Sequence, residues 1–231
     1  MTSSPRSVPL IGLQVPRVEV LPPDAVKHEA GEICAQVARS VGLTLDPWQE
    51  YCLYHAGAET AAKTWAAFEV NIDVCRQNGK GDVKIARQIA GLAVFEEPLQ
   101  IHTAHEFKTS AEHFRKLRDV IDGTDDMRKR VKAIYTANGK EAIEFRNGCR
   151  LVFAARSGGS IRGFTGDVIY LDEAFKLSSA AMGALLPALS AAPNPQVWYT
   201  SSAPHHDSEV LHNLRRRAMS DEPGRLFYAS W

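Results

Sequence analysis

Between Phe68 and Phe95 the chain changes its hydrophobic period across one short glycine-bearing loop, and few folds permit that change. Residues 68–74 alternate apolar and polar side chains, the period of a half-buried strand. Residues 75–81 read as a loop. Residues 82–95 then set Val83, Ile85, Ala86, Ile89, Ala90, Leu92 and Ala93 at near-helical spacing. Strand, loop, helix is the opening half of a parallel-sheet crossover, and the pattern recurs. A strand is predicted over 99–103 and a helix over 109–121. Short strands follow at 168–171, 197–200 and 226–230, with helices at 180–189 and 208–219 between them. Residues 142–145 and 150–155 flank Asn147-Gly148, a strong hairpin signal. Upstream, residues 28–41 suit a helix ending at Gly42. Asp46 and Pro47 suit the cap and first turn of another helix that runs to about His55. The prolines of residues 1–23 predict an extended or disordered arm. The expected class is α/β, a central, mostly parallel sheet flanked by helices with a β-hairpin insertion. The arm and lead-in helix take residues 1–42 and the main domain 43–231.

Composition narrows the partners. Lys and Arg number 27, as do Asp and Glu, so no global basic field exists to attract a polyanion. Nucleic acid would have to be met by local clusters: Arg115/Lys116/Arg118, Arg128/Lys129/Arg130/Lys132 or Arg215/Arg216/Arg217, each otherwise a solvated face. Cys34, Cys52, Cys75 and Cys149 form no C-x-x-C pair, which fits small apolar residues in a reducing compartment. No signal-peptide core and no apolar run long enough for a membrane span is read, so a soluble, cytoplasmic protein without membrane contact is expected. His102, His105 and His113 lack an evident converging third ligand and read as surface or strand-end residues. His205-His206-Asp207 reads as a loop.

Two Gly-Lys dipeptides occur, and context separates them. Gly139-Lys140 precedes a strand pair and reads as a turn. Gly79-Lys80 lies between a strand and a helix, where backbone N–H groups can cradle phosphates and a lysine can reach the outer ones. The segment Val74-Cys75-Arg76-Gln77-Asn78-Gly79-Lys80-Gly81-Asp82 departs from G-x-x-x-x-G-K-[ST] at both ends. Val74 replaces the first glycine, and Gly81 replaces the residue whose hydroxyl would bind magnesium. About 90 residues later, Val168-Ile169-Tyr170-Leu171 ends in Asp172-Glu173. Adjacent carboxylates at a strand end diverge, so Asp172 can hold magnesium while Glu173 polarises an attacking water. Loop and acidic pair together, in this order, predict an ATP-hydrolysing P-loop domain with ATP and Mg2+ as cofactors.

Arg76-Gln77-Asn78-Gly79-Lys80, then Ile101-His102-Thr103-Ala104-His105, then Leu171-Asp172-Glu173-Ala174, then Thr200-Ser201-Ser202 resemble the N-terminal ATPase domain of the tailed-phage terminase large subunit, the motor that packages DNA. The resemblance spans residues 45–231. It implies a P-loop NTPase fold of the additional-strand (RecA-like/terminase) type. It also implies that Gln49 binds adenine with Trp48 packed nearby, in the segment Leu45-Asp46-Pro47-Trp48-Gln49. Arg76, Gln77, Asn78, Gly79, Lys80, Gly81 and Asp82 would form the phosphate loop, with Lys80 on the β- and γ-phosphates. Asp172 would hold magnesium, Glu173 would be the catalytic carboxylate, and Thr200, Ser201 and Ser202 would sense the γ-phosphate from a strand between the loop strand and the acidic strand. Arg76 is implied as a charge stabiliser in cis. Arg162, in the glycine-rich Ser157–Gly163 stretch, is implied as a finger in trans, with a mobile-loop or DNA-contacting arginine as the alternative. Implied partners are double-stranded DNA, a portal protein, a terminase small subunit and further copies in a ring, in the host cytoplasm and transiently at the procapsid portal rather than in the mature virion. The family's nuclease is not expected from these residues. Two other readings stand beside this one: a helicase-like P-loop ATPase, and a nucleotide-binding assembly module with little hydrolysis, to which Gly81 lends weight.

Overall fold

Among the described residues nine strands hydrogen-bond into one sheet, and the order in which they pair decides which residues can meet. The computed structural model describes residues 12–137, 139–156 and 165–231. The strands are β1 (Val18–Val20), β2 (Glu69–Asp73), β3 (Leu99–Ala104), β4 (Val131–Tyr135), β5 (Ala142–Phe145), β6 (Arg150–Ala155), β7 (Val168–Asp172), β8 (Gln196–Ser201) and β9 (Leu226–Ser230). Their order is β1-β9-β2-β8-β7-β3-β6-β5-β4. From β9 to β6 every neighbour is parallel. Antiparallel pairs close both edges: β1 on β9, and β5 then β4 beyond β6.

Side-chain alternation sends the residues of the central strands to two separate cores. Val70, Ile72, Tyr170, Trp198 and Phe227 face one core, while Ile169, Leu171, Val197, Tyr199 and Tyr228 face the other. A strand covered on both faces also buries the polar residues it carries, as β2 buries Asn71 and β3 buries Gln100, His102 and Thr103. The first face carries α1 (Glu29–Ser40), α2 (Pro47–Ala56), α3 (Lys80–Ala93) and α4 (Phe107–Asp122). The second carries α6 (Ser179–Leu185), α7 (Glu209–Ala218) and the 3-10 turns Ala174–Lys176 and Leu186–Leu189. The short α5 (Asp125–Arg130) joins α4 to β4.

The expected α/β class holds, with three refinements. The described end of the expected arm supplies an edge strand: Val18 pairs with Ser230 and Val20 with Tyr228. The hairpin at Asn147-Gly148 continues the main sheet through β6, which runs parallel to β3. The residues before it, left without a prediction, form α5 and β4. Gly139 adopts φ 78° in the turn between β4 and β5, the place expected for Gly139-Lys140.

One buried ion pair pins α3 to the turn that leads into β3. Arg87 donates to both oxygens of Glu97, at 2.9 and 2.5 Å, and its guanidinium lies 4.9 Å from the Trp65 ring centroid and 5.3 Å from that of Phe95. Removing one member of a buried pair leaves an uncompensated charge, which costs about 3–5 kcal/mol. Glu97→Ala is therefore expected to lower the urea-unfolding free energy by that amount, and Arg87→Met/Glu97→Leu by clearly less. Equal losses would show that packing, not the stranded charge, sets the cost.

Candidate functional site

The parallel ladder β2-β8-β7 brings the sequence-predicted residues to one end of the sheet. Asp73 of β2 is level with Ser201, and Thr200 of β8 is level with Asp172 of β7. The loop after β2, the end of β8 and the acidic turn after β7 are therefore consecutive along one edge. Crevices at the carboxyl ends of parallel strands are where open α/β sheets bind ligands.

The loop between β2 and α3 is held tightly at the start of the helix. Gly79 caps α3 in the left-handed conformation, φ 79°. A Cβ there would lie 2.5 Å from the end of the Gln49 side chain, which would have to shift, and the left-handed conformation itself favours glycine. Lys80 opens the helix and turns back over the loop, donating to the carbonyls of Val74 at 2.5 Å and Cys75 at 2.8 Å. Burial lowers its pKa, Asp172 opposes that shift and Lys84 reinforces it. Arg76 and Gln77 are exposed, and the Arg76 guanidinium lies 5.9 Å from the Phe175 ring centroid, beside the acidic turn. Asn78 reaches the carbonyls of Cys75 and Arg76, both at 3.4 Å. Asp82 pairs with Lys116 of α4 at 2.6 Å.

Gln49 and Trp48 lie beside this loop. The Gln49 amide nitrogen donates to the Gly79 carbonyl at 2.8 Å, and its oxygen accepts from the Asp46 N–H at 2.6 Å. The arrangement gives Gln49 a job the sequence reading did not: it ties α2 to the phosphate loop. Trp48 is buried edge-on to Trp231, ring centroids 5.4 Å apart, under a cleft of about 480 Å³ that Gln14, Arg17 and Asn78 also line. Both polar atoms of the Gln49 amide are thus engaged within the chain.

Asp172 is the most heavily engaged group in the site. Lys84, on α3, pairs with its Oδ2. Thr200 donates to its Oδ1 at 2.9 Å, and the Glu173 N–H donates to the same oxygen at 3.1 Å. Burial pushes this carboxyl up, but the Lys84 ammonium more than offsets that and holds it well below the usual carboxylate range. The magnesium expected on Asp172 does not fit this arrangement. Both oxygens are engaged, one by a cation, and Gly81 offers no hydroxyl to complete a metal site.

Glu173 adopts φ 52°, uncommon for a residue with a Cβ. The turn is held from below: Arg156 donates to the carbonyls of Asp172 and Glu173, and the Phe175 N–H donates to the Ser201 hydroxyl at 3.1 Å. Burial lowers the Arg156 pKa to about 10, against the pull of Asp172 and Glu173. Ser201 thus bridges β8 to the turn that carries Glu173, whereas Ser202 is half-buried just beyond the strand. Sequence reasoning missed Lys84 and Arg156. The Arg162 expectation lies outside the described residues.

The histidines correct another expectation. His102 and His113 are buried, not at the surface, and their rings stack 4.3 Å apart. Gln88 bridges them, its amide nitrogen 3.2 Å from His102 Nδ1 and its oxygen 2.8 Å from His113 Nε2.

Comparisons with known proteins bear on this geometry. Residues 76–186 match the family model described as terminase large subunit, T4likevirus-type, N-terminal. The fold matches the HK97 bacteriophage large terminase at a TM-score of 0.71 and 17% identity, over 87% of this chain and 43% of that one. It matches the large terminase ATPase domain of Thermus phage P74-26 at 0.58 and 14% identity, over 74% and 69%. It also matches the large terminase of a thermophilic bacteriophage, in complex with ADP, at 0.53 and 14% identity, over 71% and 40%. The chain thus spans less than half the length of the HK97 enzyme. No curated protein matches it in sequence.

The histidine pair makes stability depend on pH. Burial lowers the His102 pKa to about 3 and that of His113 well below its usual value. The unfolded chain takes up these protons from about pH 6.5 downward while the folded chain refuses them, so stability falls as pH drops. Urea unfolding at pH 7, 6 and 5 should show a progressive loss that approaches about two protons taken up per unfolding event at pH 5. A free energy flat across this window would refute the buried neutral pair.

Proposed function

We propose that this chain, joined to the terminase large subunits by residues 76–186, is an ATPase motor domain that couples ATP hydrolysis to translocation of double-stranded DNA into a procapsid. The observation that carries the reading is the alignment of three strand ends, which sets the phosphate loop, Thr200 and Ser201, and Asp172-Glu173 side by side.

ATP enters with its base toward the Trp48 cleft and its triphosphate along the loop. The loop N–H groups and the N-terminus of α3 take the phosphates. Lys80 leaves the Val74 and Cys75 carbonyls for the β- and γ-phosphate oxygens. Glu173 accepts a proton from the attacking water. The water oxygen bonds to the γ-phosphorus as the bond to the bridging oxygen breaks, and ADP leaves with phosphate. Arg76 neutralises charge from the same subunit and Arg162 from a neighbour. Arg156 is a positioning residue that keeps the Glu173 turn in its left-handed form. Thr200 and Ser201 connect the acidic turn to β8, and Ser202 continues that connection toward α7, so loss of the γ-phosphate is felt outside the cleft. No step of this scheme is routed through a metal.

The partners follow from the same reading: double-stranded DNA, the portal protein, the terminase small subunit and further copies in a ring, in the host cytoplasm and at the procapsid portal. The exposed arginines and lysines of α4, α5 and α7 supply phosphate contacts without reading sequence. The lack of a hydroxyl at Gly81 favours slow turnover by the isolated domain.

Glu173→Gln is expected to cut ATP turnover by about 10² to 10⁴ while nucleotide binding survives, assayed with DNA and portal present. Unchanged turnover would remove Glu173 from the mechanism. Arg162→Ala is expected to lose activity by about 10³ or more in the assembled ring, yet to leave the lone domain unaffected. Equal loss in both states would move this arginine to the cis side.

A further inference from the structure

The cavity of about 500 Å³ beside the phosphate loop is lined by Gly79, Lys80, Gly81, Lys84, His113 and Asp172. Two of its features belong together. Gly81 provides no hydroxyl where a phosphate loop ordinarily supplies a metal ligand. A Cβ there would meet only His113 Nδ1, at 3.9 Å, so space does not forbid a serine. Four residues on from Lys80, one turn along the same face of α3, Lys84 places its ammonium on Asp172. Lys84 is 1% exposed, and lysine is almost never this buried unless paired. The pairing falls on the very carboxylate that would hold a metal. The other Asp172 oxygen is committed to Thr200 and the Glu173 N–H. A divalent ion arriving here must displace a cation already in contact, and finds no hydroxyl to help it. An ammonium carries three donors, so one that holds Asp172 can still donate to a phosphate oxygen in the same cavity.

We infer that Lys84 is a built-in cation at the position where Asp172 would otherwise hold a divalent metal, so that the chain binds a nucleotide triphosphate with little dependence on magnesium. The inference rests on the nucleotide-site reading above. It assigns to one side chain the charge neutralisation that a bound ion usually provides. Lys80 and Lys84 then form a pair of ammonium groups one helical turn apart, one on the outer phosphates and one between Asp172 and the phosphate oxygens.

The test is a fluorescence titration of the 231-residue chain with N-methylanthraniloyl-ATP, once with Mg2+ and once with EDTA. The two affinities should agree within about threefold, because the local cation is already present. Lys84→Met should weaken binding in EDTA by about tenfold or more and recover most of it when Mg2+ is added, whereas Lys84→Arg should keep binding in EDTA. A wild-type affinity that drops by about thirtyfold in EDTA overturns the inference and leaves the nucleotide site standing. So does Lys84→Met binding like the wild type in EDTA. Should Lys84→Met fail to fold, judged by its circular dichroism melt, the wild-type comparison decides alone. Absence of binding in both buffers would overturn the nucleotide site together with the inference.

Discussion

The parallel register of β2, β8 and β7 is the constraint on which the rest of the site depends. Shifting β8 by one residue would turn Thr200 away from Asp172 and carry the Trp198 side chain from one core to the other, because side chains alternate with a period of two. Register is strongly specified here because both faces are buried: Val70, Ile72 and Trp198 must go one way, and Val197, Tyr199 and Ile169 the other. The same packing that stabilises the sheet therefore sets the positions of the functional strand ends to within a hydrogen bond.

On that frame the charges arrange themselves around Asp172. Lys84 reaches it from α3, Thr200 from β8 and the Glu173 N–H from the turn, while Arg156 holds the same turn through its carbonyls. Three segments remote in sequence, α3, β8 and the end of β6, converge on one carboxylate and its backbone. Gln49 extends the connection to α2 through Gly79, and Ser201 extends it to Phe175. Ser208 accepts from the His205 N–H and donates to the Phe175 carbonyl, joining the start of α7 to the acidic turn. A change in what occupies the phosphate loop therefore has continuous bonded routes to both faces of the sheet.

Much of this was legible in the sequence, for physical reasons. The strand ends at Asp172 and Thr200 follow short apolar runs, and the one at Asp73 follows an alternation of apolar and polar residues. Gly79-Lys80 lies where a period of two gives way to a helical one. The hairpin at Asn147-Gly148 is dictated by turn chemistry. Lys84 and Arg156 were not legible, because each looks in sequence like an ordinary solvated charge. Lys84 sits between Val83 and Ile85, and its burial is decided by β7, which arrives more than 80 residues later. His102 and His113 hide for the same reason: the partner that makes them a buried pair is Gln88, on a different helix. The helix α5 escaped because Asp125-Asp126-Met127-Arg128-Lys129-Arg130 shows one buried side chain, too few to reveal a period.

Hydrogen exchange of the chain with and without ATP, read by mass spectrometry, tests the central claim most directly. The account predicts slowed exchange in peptides that cover Val74–Asp82 and Asp172–Lys176, with the ends of β8 and α2 following through Thr200 and Gln49. Slowing confined to other surfaces, such as the groove between α1 and α2, with the phosphate loop unchanged, would contradict it.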